Sequence, residues 1–118
     1  MKATALRQRR VPEPDGSSLL NALPHPVIAV DGDDRIRMAN LAAEQFLAAS
    51  WSTLAGRTIA DFLPVGSPIL GLIEQVREIG GSVSEYGLSI ETPRIKSHVV
   101  TAEIAAMSEH PGWVAISL

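Results

Sequence analysis

Apolar residues along this chain change spacing several times, and each change marks an element. Val27 to Val30 is a continuous, mostly β-branched apolar run, which predicts a buried strand. Asp31-Gly32-Asp33-Asp34 follows as a turn, with Gly32 the residue free to take a positive φ. In Arg35-Ile36-Arg37-Met38 polar and apolar residues alternate, as in a strand with one wet face, so the two runs make a hairpin. Asn40 then stands where a helix N-cap belongs, and Ala43, Phe46 and Leu47 fall at i, i+3 and i+4 on one stripe.

Ahead of the hairpin, Ser17 or Ser18 can cap a short helix bearing Leu19, Leu20 and Leu23, which Pro24 and Pro26 stop. Behind it, Ser52 to Gly56 reads as one helical turn ended by glycine. Thr58 can cap another turn holding Ile59, Phe62 and Leu63. A longer helix starts with Ser67 as cap and Pro68 at its first position, and ends before Gly80-Gly81. Its apolar face is Ile69, Leu72, Ile73 and Val76, with Glu74, Arg77 and Glu78 outward. Gly71 is either a close-packing point or incidental.

Ser82 to Ile90 alternates loosely and reads as a strand bent or bulged at Gly87. Pro93 begins a break, and Ser97 to Ala106 alternates again as a long strand. Glu109-His110-Pro111-Gly112 is a turn before a last strand, Trp113 to Leu118. The order is β-β, short helices, then β-β-β. That predicts an α+β domain with one antiparallel sheet of about five strands and helices on one face. Residues 1–16, charged and then broken by Pro12, Pro14 and Gly16, read as a flexible leader, and 17–118 as the single domain that 118 residues suit.

Composition narrows the function. Ten Lys and Arg against 13 Asp and Glu leave a net charge of −3, without the broad basic face that nucleic acid requires. With no cysteine, disulfides, zinc–thiolate sites, a cysteine nucleophile and a cysteinyl–flavin adduct are all excluded. No apolar run approaches the roughly 18 residues of a membrane span. The basic residues Lys2, Arg7, Arg9 and Arg10 precede prolines rather than a signal-peptide core, so a cytoplasmic protein is expected. That N-terminal arm either touches lipid or is a solvated tail.

The residues also carry a resemblance. Val27 to Asp31, the glycine turn, Arg35-Ile36, Asn40 with Ala43, and Gly56-Arg57 before a short helix resemble the PAS domain from about Ser17 onward. In that family the position of Asn40 ties the helix to the hairpin; Asp31, Gly32, Asn40 and Gly56 are thus structural motif positions. A narrower match lies in Leu20 to Val27, Phe62-Leu63-Pro64 with Ser67-Pro68, Ile73 to Arg77, and Val83 to Tyr86. These resemble the N-terminal sensory domain of NtrB-type nitrogen-regulation sensor histidine kinases, two-component proteins. The resemblance implies a cytoplasmic homodimer that phosphorylates and dephosphorylates the response regulator NtrC under control of the PII signal protein. It also implies a truncated input domain, with the phosphoacceptor histidine, ATP and magnesium belonging to kinase parts beyond Leu118. The alternative is a small-molecule-binding PAS module attached to another effector, such as a transcription factor.

No catalytic, metal or cofactor set can be assembled from these residues. None of the 3 histidines, His25, His98 and His110, has a metal-site partner at helical spacing, and no nucleophile elbow or Walker loop is present. PAS domains that hold haem use a histidine on the long helix, and 67–79 has none. The acidic turn at Asp31, Asp33 and Asp34 lacks the spaced ligands of a calcium loop. Phe46, Phe62, Ile73, Val76 and Tyr86 are expected on the concave side of the sheet, where they either line a ligand pocket or fill the core. Leu19, Leu20 and Leu23 form a helix with little core of its own, which either folds across the sheet or pairs with a second copy, and a symmetric dimer is the expected outcome.

Overall fold

The computed structural model describes residues 13–92 and 95–118. Strands β1 (Val27–Val30), β2 (Ile36–Ala39), β3 (Ser82–Thr92), β4 (Ile95–Ala106) and β5 (Val114–Ser117) form one sheet in the spatial order β2-β1-β5-β4-β3. Every neighbouring pair is antiparallel, so the first and last strands lie side by side at the centre. Between β2 and β3 the chain forms α2 (Leu41–Leu47), α3 (Trp51–Leu54), a 3-10 turn (Ile59–Phe62) and α4 (Pro68–Ile79). Helix α1 (Gly16–Ala22) precedes β1.

The predicted α+β architecture is the one observed. Alternation decides which strand residues face the helices. Ile28, Val30, Ile36, Ile90, Ala102, Ile104, Val114 and Ile116 are buried, and they pack with Leu47, Leu54, Ile59, Phe62, Ile69, Ile73 and Val76 in one core. Alternate positions face away: Ala29 lies opposite Met38 and Ala115, and Ala115 opposite Ala105.

Several local expectations are corrected. Asp15, not Ser17 or Ser18, caps α1, its carboxylate accepting from the Ser18 amide at 2.8 Å, so the helix begins at Gly16. That hydrogen bond holds the Asp15 carboxyl below the usual carboxylate range. Residues 1–12 of the leader and the break at Pro93 lie outside the described residues. Strand β3 runs to Thr92 and β4 starts at Ile95, because pairing continues past the alternating segments as far as Thr92 and Ile95.

At the hairpin turn the left-handed residue is Asp34 (φ 64), not Gly32. The Asp31 carboxylate gathers the amides of Asp33 and Arg35, and the Asp34 amide donates to the Asp31 carbonyl, so the reversal falls on Asp34. Aspartate tolerates that region better than most side chains. Thr58 makes no side-chain cap, and the turn after it is 3-10. Gly71 is exposed with open space where a Cβ would lie, so close packing does not require it. The bulge at Gly87 is present, with φ 71 and a register shift between Glu85 and Leu88.

Candidate signalling surface

Asn40 is the hub that joins helix, hairpin and N-terminal segment. Its Oδ1 accepts from the Ala43 amide at 3.0 Å, capping α2, and from the Val27 amide at 2.9 Å, at the start of β1. Its Nδ2 donates to the carbonyls of Leu20 and His25, each at 2.9 Å. All four hydrogen-bonding positions of the amide are used, in a side chain only 2% exposed. The predicted cap is therefore also the anchor of α1, a role helped by Asn21, which accepts from the Leu41 amide at 3.0 Å.

Anchored this way, α1 buries no residue of its own. Leu19 is 62% exposed and Leu23 40% exposed, while Leu20 turns inward at the rim of a groove. The groove, of about 520 Å³, runs over the outward sheet face and is lined by Leu20, Val27, Ala29, Met38, Met107 and Ala115 among others. Its floor includes the small outward residues Ala29 of β1 and Ala115 of β5. Those alanines were legible as alternate strand positions. Trp51 and Met107, which close the sides, are far apart in sequence and meet only through the fold.

The five residues expected either to line a ligand pocket or to fill the core divide between the core and the surface. Phe62, Ile73 and Val76 are buried in the core. Phe46 is half-buried, its ring 5.4 Å from that of His98, beside a groove of about 390 Å³ with Pro24, Pro26, Gln45 and Lys96. Tyr86 is 79% exposed and does not face the concave side. The bulge at Gly87 explains this: an extra residue breaks the alternation, so counting by twos from Ile90 misplaces position 86.

At the opposite end of the sheet the motif positions form a bonded turn. Arg35 reaches the Gly56 carbonyl at 2.8 Å, Gly56 has φ 74, and its amide donates to the Ile36 carbonyl at 2.9 Å. The Asp31 carboxylate accepts from Asp33 and Arg35 amides at 2.9 and 3.1 Å and lies 3.6 Å from Arg37. Burial pushes its carboxyl up. The amides of Arg35 and Asp33 and the charges of Arg37 and Arg35 outweigh that and hold it below the ordinary range. The stability it contributes is therefore present above the unfolded pKa of about 3.9 and lost as pH falls through the lower folded value. Asp31→Asn is expected to cost about 1 kcal/mol at pH 7. In urea titrations the deficit should shrink as pH falls through the lowered folded pKa, where the wild-type group becomes neutral too; a deficit independent of pH would contradict this account.

Arg77, expected to look outward, instead folds onto this turn. Its guanidinium lies 2.6 Å from the Asp34 carboxylate and donates to the Asp31 and Gly112 carbonyls. Its place on α4 could not reveal this, since its partners come from two distant turns. Among the described residues, no group of three or more His, Asp or Glu is placed to hold a metal ion, and no helix is long and apolar enough to cross a membrane.

A five-stranded antiparallel sheet with first and last strands paired at its centre, covered on one face by short helices inserted after the first hairpin, defines a PAS-type module. The chain belongs to the PAS family: the model of the PAS fold matches residues 15–115. Among proteins it is similar to the sensory histidine kinase/phosphatase NtrB of Azospirillum brasilense, 41% identical over 104 residues, which cover 88% of this chain and 26% of that protein. NtrB of Rhizobium meliloti (strain 1021) is 42% identical over 100 residues, 84% of this chain and 26% of that one. The chain thus spans about a quarter of the length of these curated relatives. In fold it is similar to the crystal structure of the PAS domain of nitrogen regulation protein NR(II) from Vibrio parahaemolyticus. The TM-score is 0.72 at 16% identity, covering 89% of this chain and 96% of that one.

Proposed function

We propose that this chain is the signal-input and dimerisation domain of an NtrB-type, cytoplasmic sensor histidine kinase. The observation that carries the reading is the 41% identity to the sensory histidine kinase/phosphatase NtrB of Azospirillum brasilense, sustained over 88% of this chain. In this reading the domain performs no chemistry. The linked catalytic part, with ATP and magnesium, phosphorylates and dephosphorylates the response regulator NtrC, and PII sets the balance. In this reading the domain holds neither a haem ligated from α4, which lacks histidine, nor a cysteinyl–flavin adduct, for which the chain has no cysteine. Its task is to bias the attached kinase between two states. The coding sequence downstream of Leu118 tests this. A dimerisation helix with a His-Glu box and an ATP-binding domain supports it; a DNA-binding domain sinks it and favours a small-molecule sensor on another effector.

Dimerisation rests on α1. Two exposed leucines, Leu19 on α1 and Leu23 at its C-cap, beside an apolar groove are costly to leave in water, and a second copy would cover them. Leu19→Glu with Leu23→Glu should weaken self-association at least about a hundredfold, because burying each leucine is worth roughly 1.5–3 kcal/mol. Sedimentation equilibrium reads this directly. A wild-type monomer at high micromolar concentration, or an unchanged mass in the variant, would rule α1 out as the dimer contact.

A further inference from the structure

Most bonds that close this domain join strands paired in the sheet or segments close in sequence. Arg77 does neither. It sits in the last turn of α4, and Nε donates to the Gly112 carbonyl at 3.0 Å, 35 residues away. Nη2 donates to the Asp31 carbonyl at 2.7 Å, 46 residues away, and lies 2.6 Å from the Asp34 carboxylate. That carboxylate oxygen is buried and is met by the guanidinium charge rather than by an aligned hydrogen bond. Only arginine offers several donors in fixed, divergent directions; lysine is a point charge.

The two turns held by Arg77 also touch each other: a Cβ on Gly112 would lie 3.6 Å from the Gly32 Cα. Asp34, in its left-handed conformation, passes its own carbonyl to the Ile59 amide at 2.9 Å, so the 3-10 turn joins the same cluster. Gly112 leads through Trp113 into β5, the strand at the centre of the sheet. Apart from the Ala106 amide of β4, which donates to the Gly81 carbonyl just past the end of α4 at 2.9 Å, the other hold of α4 on the sheet is apolar packing by Ile69, Ile73 and Val76. Such packing has no preferred direction and permits small sliding.

We propose that Arg77 is a coupling clasp: it makes the C-terminal end of α4, the β1–β2 turn and the β4–β5 turn open and close as one unit. A displacement of α4 is then delivered to the start of β5 rather than absorbed by sliding. This device belongs to the mechanics of the chain itself, so it can fail without touching the kinase reading, and the reverse also holds.

Native-state amide hydrogen exchange in increasing urea tests it on this chain. In the wild type, the amides of Gly80 at the C-cap of α4, Asp34 in the first turn and Met107 and Trp113 around the second should share one opening, with the same urea dependence. Arg77→Met should speed exchange in both turns about tenfold or more, the worth of losing bonds to a charged group. It should also split the urea dependence of the turns from that of α4, while the Ala43 amide at the start of α2 keeps its rate. Arg77→Lys should split them as well, because the charge returns without the directed bonds. An equal acceleration of every amide would mean plain loss of stability and would overturn the coupling role, as would turn amides that keep their wild-type rates. Should Arg77→Met fail to fold, Arg77→Lys and Asp34→Asn are read by the same two criteria.

Discussion

Asn40→Ala is expected to lower the thermal midpoint by roughly 15 °C, the largest effect of any polar substitution in this domain. The side chain makes four hydrogen bonds to four segments, the amides of Val27 and Ala43 and the carbonyls of Leu20 and His25. Alanine removes the cap of α2 and the tie from α1 to the hairpin together. A lost cap costs about 1 kcal/mol, and each of the three other unmet groups adds up to a similar amount, for a total of about 3–4 kcal/mol. Asn40→Asp separates the two halves of this role. It keeps both accepted bonds but sets an oxygen against the Leu20 and His25 carbonyls. It should be nearly as unstable as alanine. A calorimetric midpoint near wild type for the aspartate would mean that the donated bonds contribute little and that α1 is not held through Asn40.

Ile73→Ala is expected to cost about 3–4 kcal/mol, the range found when a large core side chain is truncated and the site only partly collapses. Ile73 is 1% exposed at the middle of α4, packed in the core with Ile69 and Val76. Tyr86→Ala, by contrast, should change stability by less than about 0.5 kcal/mol, because the ring stands in solvent. Urea unfolding of the two variants measures both. Equal losses would mean that Tyr86 belongs to the core and that the bulge at Gly87 has been misassigned. A much smaller loss at Ile73 would mean that the space beneath α4 is loosely filled, which would reopen the ligand-pocket reading.

The contrast between those two residues marks how far periodicity carries. Ile69, Ile73 and Val76 recur at helical spacing between a serine–proline start and a double glycine, and they are buried as that spacing predicts. Tyr86 alternates with Leu88 and Ile90 in the sequence but lies across a bulge, where one inserted residue turns its face around. A period of two has no tolerance for an insertion. The hairpin turn failed in a related way. Glycine is the obvious residue for a positive φ, yet the bonds of the Asp31 carboxylate moved the reversal to Asp34.

What the chain determines locally is its element order, its caps at Asn40 and Ser67, its breaks at proline and glycine, and the apolar faces that become the core. These depend on a few neighbouring residues, and their physics acts within one turn or one strand. Which distant groups meet was decided only by the tertiary structure. Asn40 joining Leu20 and Val27, Trp51 and Met107 flanking one groove, and Arg77 reaching Asp31, Asp34 and Gly112 all depend on how the sheet orders its strands. Directed bonds between segments tens of residues apart leave no periodic trace in a sequence, because each end has its own local reason to be where it is.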